Sequence, residues 1–496
     1  MIGIILNDNS YEQDIRELLM AFFPGETFVH EVRYEVDLGL HGTLSEDRRS
    51  FTIQVVSRGP RKAHLWDMTP GEHWEADHFD EPIRVDYEDR FETKNKIKRR
   101  LYVVLKSLTG RNLPWGTLTG IRPTKIALTR LEEGMTEDAI FRHMKETYFT
   151  SDEKIALSIE IAKRERQLLS AVDYRDGYSL YVGIPFCPTT CLYCSFTSYP
   201  IGKWQGRTGL YLDALFQEMD CVAEEKRGCT LDTVYIGGGT PTSLSPEDLD
   251  VLMAKLRSTF DFSSVKEFTV EAGRPDSITR EKLEVLKKYG VTRISINPQT
   301  MKQETLKLIG RHHTVQDVKD CFHLARELGF DNINMDLIIG LPEEGLEDVR
   351  ATMEAVKELG PESVTVHSLA IKRAARLNTM KEVYKDLKIT NTQEMIDLTA
   401  QYAREMGLEP YYLYRQKNMA GNFENVGYAA PGRACIYNIL IMEEKQTIAA
   451  CGAGTTTKRL FAEENRLERA ENVKDVEQYI SRIDEMIARK KKLLQD

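Results

Sequence analysis

Cys187, Cys191 and Cys194 stand in the run CPTTCLYC, spaced C-x3-C-x2-C. Three thiolates on one short loop can wrap an iron–sulfur cubane, each binding a separate iron. The fourth iron is then left without a protein ligand, and an open coordination position is what a metal needs to bind and activate a substrate. Zinc would need a fourth ligand such as histidine, and no histidine lies between His143 and His312. A disulfide would leave one cysteine over and would be reduced inside a cell. The other cysteines, Cys221, Cys229, Cys321, Cys435 and Cys451, are scattered and read as structural.

The elements around this motif follow a strict alternation. Strand candidates are YSLYVGIPF (178–186), TVYIGGG (233–239), EFTVEAG (267–273), RISINPQ (293–299), NINMDLIIG (332–340) and SVTVHSLAI (363–371). Several are near-continuous apolar runs, as expected of parallel strands covered on both faces. Helical patterns lie between them. Ser245-Pro246-Glu247-Asp248 and Thr314-Val315-Gln316-Asp317 read as capping boxes, and Gly290 and Gly329 stand where a left-handed residue closes a helix. Six strand–helix steps predict an α/β fold, a partial (β/α)6 barrel over residues 171–371, with active residues at the carboxyl ends of its strands.

Chemistry-bearing residues fall at those ends. Gly237-Gly238-Gly239-Thr240 closes the second strand, where glycines let backbone approach a ligand closely. Glu271 ends the third strand; its carboxylate could bind an ammonium or ribose hydroxyls, or simply join a surface salt bridge. Gln299 ends the fourth. Asp336 lies inside an otherwise apolar strand, where a charge is costly unless paired or used. Arg311 could grip a carboxylate in bidentate fashion. His312 and His313 are given no role and read as surface histidines.

The flanking regions say less. Residues 1–170 mix alternating runs at 27–38 and 50–57 with a helical tail, an α+β pattern of undeclared role. Pro123 suits the first turn of a helix, and Arg122 and Lys125 could meet an anion there, although a solvated helix start is the preferred reading. Residues 372–496 are richer in charge and read as mainly helical. A net charge of −10 over 496 residues gives nucleic acid or anionic lipid no general footing, and no apolar run is long enough to span a membrane. The first residues, MIGIILNDNSYEQD, lack the pattern of a signal peptide, so the expected location is cytoplasmic.

Taken together, YVGIPFCPTTCLYC, YIGGGTPT, TVEAGRPD, RISINPQ and NMDLIIGLP resemble the radical S-adenosylmethionine superfamily. Within it they resemble the branch of oxygen-independent coproporphyrinogen III oxidases (coproporphyrinogen dehydrogenases) and the related haem chaperones. The long amino-terminal extension and the GIRPTK segment are similar to the Bacillus-type second form. The resemblance implies a [4Fe–4S] cluster on Cys187, Cys191 and Cys194. It also implies S-adenosylmethionine in a site lined by Tyr181, Tyr193, Gly238, Gly239, Thr240, Glu271, Gln299, Arg311, Asp336 and Ala370.

The implied reaction is oxidative decarboxylation of two propionates of coproporphyrinogen III to vinyl groups, giving protoporphyrinogen IX in haem biosynthesis. Its implied partners are a tetrapyrrole substrate and an electron donor of flavodoxin or ferredoxin type. For substrate carboxylates, 410–428 offers Tyr411, Tyr412, Tyr414, Arg415 and Lys417; a packed core edge would use the same residues. Two departures from the family bear on function. Phe196 stands where the dehydrogenases carry a further cysteine, as it does in the haem chaperones. The chaperones' His-Asn-x-x-Tyr-Trp segment is replaced by Glu424-Asn425-Val426-Gly427-Tyr428-Ala429, and no histidine follows His367. The alternatives are thus a haem chaperone-like protein, or a radical modifier of a macromolecule bound by residues 1–170 through Lys94, Lys96 and Lys98.

Overall fold

The computed structural model describes residues 1–496 except 31–34, 58–62, 65–74, 79–81, 173–176, 197, 373, 385, 417–422, 465 and 496; of 35–36, 56–57, 63–64, 75–78 and 381 it describes the backbone alone. The chain forms two compact units, Met1–Ile159 with Gln416–Phe423, and Glu160–Arg415 with Glu424–Asp496.

In the first unit the alternating run at 50–57 is one strand, Ser50–Ser57. Within 27–38 the strand backbone is confined to Phe28–Val29, Glu35–Val36 and the start of Leu38–Leu44; residues 31–34 lie outside the described ones. Ile2–Leu6 runs parallel to Phe28–Val29 and to Leu38–Leu44, which pairs antiparallel with Ser50–Ser57. Helices Glu12–Phe22 and Arg90–Thr109 place Ile15, Leu18, Leu19, Ile97 and Leu101 in one apolar core with Phe51 and Val55 of the sheet.

In the second unit the six predicted strands are β1 Tyr178–Ile184, β2 Leu231–Gly238, β3 Glu267–Gly273, β4 Arg293–Ile296, β5 Ile333–Ile339 and β6 Ser363–Ser368. They pair in parallel in chain order. Helices follow in turn: Thr208–Glu225, Pro246–Thr259, Arg280–Lys288, Val315–Glu327, Leu346–Leu359 and Gln393–Glu405. Ser245 and Thr314 cap two of them, their hydroxyls accepting from the N–H groups of Asp248 and Asp317 at 3.1 Å each. Gly290 and Gly329 take positive φ past two helix ends.

Strand alternation sets the two faces of this sheet. Leu180, Val182, Val234, Ile236, Phe268, Val270, Ile294 and Leu337 are fully buried. Tyr181, Tyr235, Glu271, Asp336 and His367 interrupt those runs and are only half-buried. These residues able to do chemistry therefore share one face of the sheet.

Residues 372–496, expected to be mainly helical, also supply five strands. They are β7 Glu409–Tyr414, β8 Asn425–Ala429, β9 Thr447–Cys451, β10 Thr456–Phe461 and β11 Arg466–Glu471. Sheet order is β7-β8-β6-β5-β4-β3-β2-β1-β9-β10-β11. β9 is parallel to β1, and β8 antiparallel to β6. Short apolar runs such as NVGYA and TIAAC have no period that separates strand from buried helix, which is why sequence pattern alone passes over them. No helix among the described residues is long and apolar enough to cross a membrane.

Candidate functional site

The cysteine loop leaves the carboxyl end of β1 and is fastened on three sides. The N–H groups of Gly239 and Thr240 donate to the carbonyls of Ile184 (2.8 Å) and Phe186 (2.7 Å). A Cβ at position 239 would lie 2.5 Å from the Phe186 carbonyl oxygen and 3.0 Å from Cys187 Sγ, so only glycine fits there. Thr240 Oγ1 lies 3.6 Å from the same sulfur. Leu192 N–H donates to the Ile309 carbonyl (2.9 Å) and Thr189 Oγ1 to that of Gly310 (3.1 Å). The Leu192 carbonyl accepts from Leu377 N–H at 3.0 Å.

Burial pushes the Cys187 thiol up to about 11, the other two sulfurs adding to the shift against the Thr240 hydrogen bond. Burial also raises Cys194. Such thiols stay protonated until iron displaces the proton. Among the described residues no three His, Cys, Asp or Glu side chains converge as ligands of a single ion. A cubane asks instead for one thiolate per iron corner, which a loop of this spacing can provide. Two guanidiniums face the loop: Arg274 Nη1 lies 3.7 Å from Cys191 Sγ, and Arg311 also reaches that sulfur. The donor set fits an anionic cluster.

Of the other expected site residues, Gly238, Gly239, Thr240, Gln299 and Ala370 stand at or just past the ends of β2, β4 and β6, Tyr181, Glu271 and Asp336 lie within β1, β3 and β5, and Tyr193 and Arg311 stand on connecting loops. Tyr181 stacks with Tyr235 and Tyr437, at 6.0 Å from each centroid. Tyr235 O–H donates to Glu271 at 2.6 Å. Burial pushes Glu271 up to about 7 against that bond and one from Gly238 N–H. Glu271 is thus held inside the sheet by a tyrosine rather than in a surface salt bridge. Tyr193 O–H accepts from Arg311 Nη2 at 3.2 Å, while Arg311 Nη1 donates to the Asn297 carbonyl. Gln299 adopts φ 67°, a left-handed conformation costly for a residue other than glycine, and is fixed to β5 by two backbone hydrogen bonds of 3.0 Å. Gln299 Oε1 and Arg311 Nε are buried without a hydrogen-bond partner. Asp336 accepts from Asn334 Nδ2 at 2.7 Å. Ala370 follows the end of β6, half-buried.

Three expectations change. His313 is no surface residue: it is 2% exposed, with Nδ1 3.9 Å from Asp276. Tyr411 and Tyr412 belong to the apolar core, which favours the core-edge reading of that segment. Arg415 is buried near Glu424, its guanidinium lowered by burial to about 10, and Lys417 lies outside the described residues. Sequence reasoning passed over Arg274 and His367. Arg274 carries the only available signal, an arginine directly after a strand-end glycine in TVEAGRPD. His367 lies on β6, with Nδ1 3.2 Å from Tyr414 O–H and Nε2 3.9 Å from Asp336.

This arrangement has known counterparts. The profile of the Radical SAM superfamily matches residues 181–356. Over 423 residues the chain is 44% identical to the oxygen-independent coproporphyrinogen-III oxidase-like protein HemZ of Bacillus subtilis (strain 168), covering 84% of each chain. The chain belongs to that oxidase-like family of the radical SAM superfamily.

Similarity to other members is shorter. The chain is 42% identical over 194 residues to the heme chaperone HemW of Bacillus subtilis, spanning 39% of this chain and 50% of that one. It is 32% identical over 220 residues to the oxygen-independent coproporphyrinogen III oxidase of Escherichia coli (strain K12), spanning 44% and 47%. The solved structure of coproporphyrinogen III oxidase (HemN) from Escherichia coli, described as a radical SAM enzyme, aligns with a TM-score of 0.52 at 25% identity, covering 65% of this chain and 72% of that one. A [4Fe–4S] cluster and S-adenosylmethionine are the cofactors of this superfamily and of this chain.

Proposed function

We propose that Cys187, Cys191 and Cys194 hold the [4Fe–4S] cluster and that Tyr181, Tyr193, Gly238, Gly239, Thr240, Glu271, Gln299, Arg311, Asp336 and Ala370 line the S-adenosylmethionine site. The reaction we infer is oxidative decarboxylation of two propionates of coproporphyrinogen III to vinyl groups, giving protoporphyrinogen IX. The reading is supported by Gly239, Thr240 and Arg311, which reach the cysteine loop directly, and by Gln299 and Arg311, which carry buried polar atoms that lack a partner.

When bound, the cluster and S-adenosylmethionine supply one-electron cleavage of a sulfonium and abstraction of a substrate hydrogen. The chain supplies position and charge. Glu271, once ionised, offers a carboxylate to an ammonium or to ribose hydroxyls, and Gln299 Oε1 offers a second acceptor. Arg311 Nε has no partner and is available to a carboxylate, while Nη1 holds the Asn297 carbonyl, Nη2 holds the Tyr193 hydroxyl, and the guanidinium also reaches Cys191. The Gly239 and Thr240 N–H groups are already spent on Ile184 and Phe186, so this turn can present carbonyls, the acceptors an ammonium needs. An electron donor of flavodoxin or ferredoxin type and a cytoplasmic setting belong to the same reading.

The second reading, a haem chaperone, is favoured by Phe196, 70% exposed beside Lys372, whose ammonium lies 5.5 Å from its ring centroid. Against it, Glu424–Ala429 is wholly buried and no histidine follows His367 to serve as an axial ligand.

The test is anaerobic reconstitution followed by incubation with coproporphyrinogen III, S-adenosylmethionine and a reductant. The expected products are 5′-deoxyadenosine, carbon dioxide and protoporphyrinogen IX. Formation of 5′-deoxyadenosine with no porphyrinogen decarboxylation would overturn the assigned reaction. Stoichiometric haem uptake by the same sample would then support the chaperone.

A further inference from the structure

Arg274 is 3% exposed and spends all three nitrogens on named partners. Nε and Nη2 form a fork on Asp276 at 2.9 and 2.6 Å. Nη1 faces the Thr189 carbonyl at 2.9 Å, Thr189 Oγ1 at 2.8 Å and Cys191 Sγ at 3.7 Å. Asp276 sits in the short turn after β3, Pro275–Ser277, and Thr189 is itself tied to Gly310. The guanidinium thus links the end of β3 to the middle of the cysteine loop. A planar cation with its fork locked on a carboxylate has one free edge, and that edge points at the loop.

We propose that Arg274 is a positioning residue for the cluster: it fixes the Cys191 sulfur and places a buried positive charge beside it. This rests on the reading of Cys187, Cys191 and Cys194 as cluster ligands. Two physical consequences follow. Reduction adds negative charge to the cluster, and a cation in a low-dielectric site stabilises the reduced form more than the oxidised one, so Arg274 raises the reduction potential. An N–H donor at a coordinating sulfur also holds the loop in its metal-binding conformation, which slows cluster loss.

The experiment compares wild type, Arg274→Gln and Arg274→Lys, each full length and reconstituted under anaerobic conditions. Iron and acid-labile sulfide are counted, the midpoint potential is read by electron paramagnetic resonance during a redox titration, and the rate of cluster loss to a chelator is measured. In Arg274→Gln the potential should move to more negative values and the cluster should be lost several times faster. Arg274→Lys keeps the charge and loses the fork, so it should recover the potential more fully than the lifetime. A merely structural arginine would change folding and cluster content together without moving the potential of the cluster that remains. Equal potentials in wild type and Arg274→Gln, both carrying a full cluster, would overturn the proposal while leaving the cysteine assignment intact. Wild-type protein that takes up no cluster would overturn the cysteine assignment itself, and with it this proposal.

Discussion

Around Glu218 every carboxylate lone pair in a fully buried cluster meets a donor. Oε2 accepts from Gly452 N–H at 2.7 Å and Tyr479 O–H at 2.6 Å; Oε1 accepts from Asn472 Nδ2 and Lys490 Nζ, each at 2.7 Å. These contacts bind helix Thr208–Glu225 to the loop after β9 and to the last helix, Ile483–Gln495. The polar cluster of half-buried Glu271 with buried Gln299 and Arg311 is left incomplete. There Gln299 Oε1 and Arg311 Nε lack partners, and Glu271 is pushed up to about 7. A complete network has nothing left to offer a ligand and can only hold the fold. An incomplete one costs stability unless something else completes it, and such cost is typical of binding sites.

Damage to the two regions should give opposite phenotypes. Replacing Cys187, Cys191 and Cys194 together by serine should abolish bound iron and sulfide and all S-adenosylmethionine cleavage, yet leave the unfolding midpoint of the apo chain close to wild type. Iron and sulfide assays beside thermal denaturation decide it; a full cluster on the triple variant would defeat the site assignment. Next in size, Glu218→Gln should leave Lys490 as a buried charge without its counter-ion and cost about 3–5 kcal/mol of stability. Urea unfolding measures this. A loss under about 1 kcal/mol would show that the network is not the structural bolt its geometry describes.

How far these regions could be read from the chain depends on how local their causes are. The cysteine spacing and the six strand ends are legible because spacing and period lie within short windows. So are the Ser245 and Thr314 caps. Arg274 is different: its sulfur partner is 83 residues away in sequence, and nothing within TVEAGRPD tells a buried guanidinium from a solvated one. His313 looks like the exposed His312 beside it, and only the fold buries it near Asp276. Tyr411 and Tyr412 suit a flat ligand and a core equally well by composition; packing against Tyr437 and Ile448 decides for the core.

Arg311 carries a smaller effect. Arg311→Lys keeps a positive charge but cannot hold Tyr193, the Asn297 carbonyl and a ligand carboxylate at once. Losing a hydrogen bond to a charged group costs roughly 1.5–3 kcal/mol, which is about a ten- to hundredfold weaker Kd for S-adenosylmethionine. Equilibrium dialysis on the anaerobic, cluster-loaded protein measures it, with iron content as the control. An unchanged Kd with full cluster would remove Arg311 from the site.

Glu271 tests the same idea through pH. Its ordinary value of 4.5 is raised in the fold to about 7, burial being the largest cause. The folded chain therefore keeps the carboxyl protonated between those values while the unfolded chain ionises. The neutral group's contribution to stability is fully present below 4.5 and is lost as pH rises through about 7. Ligand binding runs the other way if Glu271 meets an ammonium or ribose hydroxyls as a carboxylate. Affinity for S-adenosylmethionine should then rise with pH, bend near 7 and level off above it. Glu271→Gln should abolish that bend and bind more weakly at pH 8 than wild type, while remaining close to it at pH 6. A wild-type affinity that stays flat from pH 6 to 8, or a bend that survives in Glu271→Gln, would mean that this carboxyl is completed by Tyr235 and the Gly238 N–H and belongs with Glu218 among the structural groups.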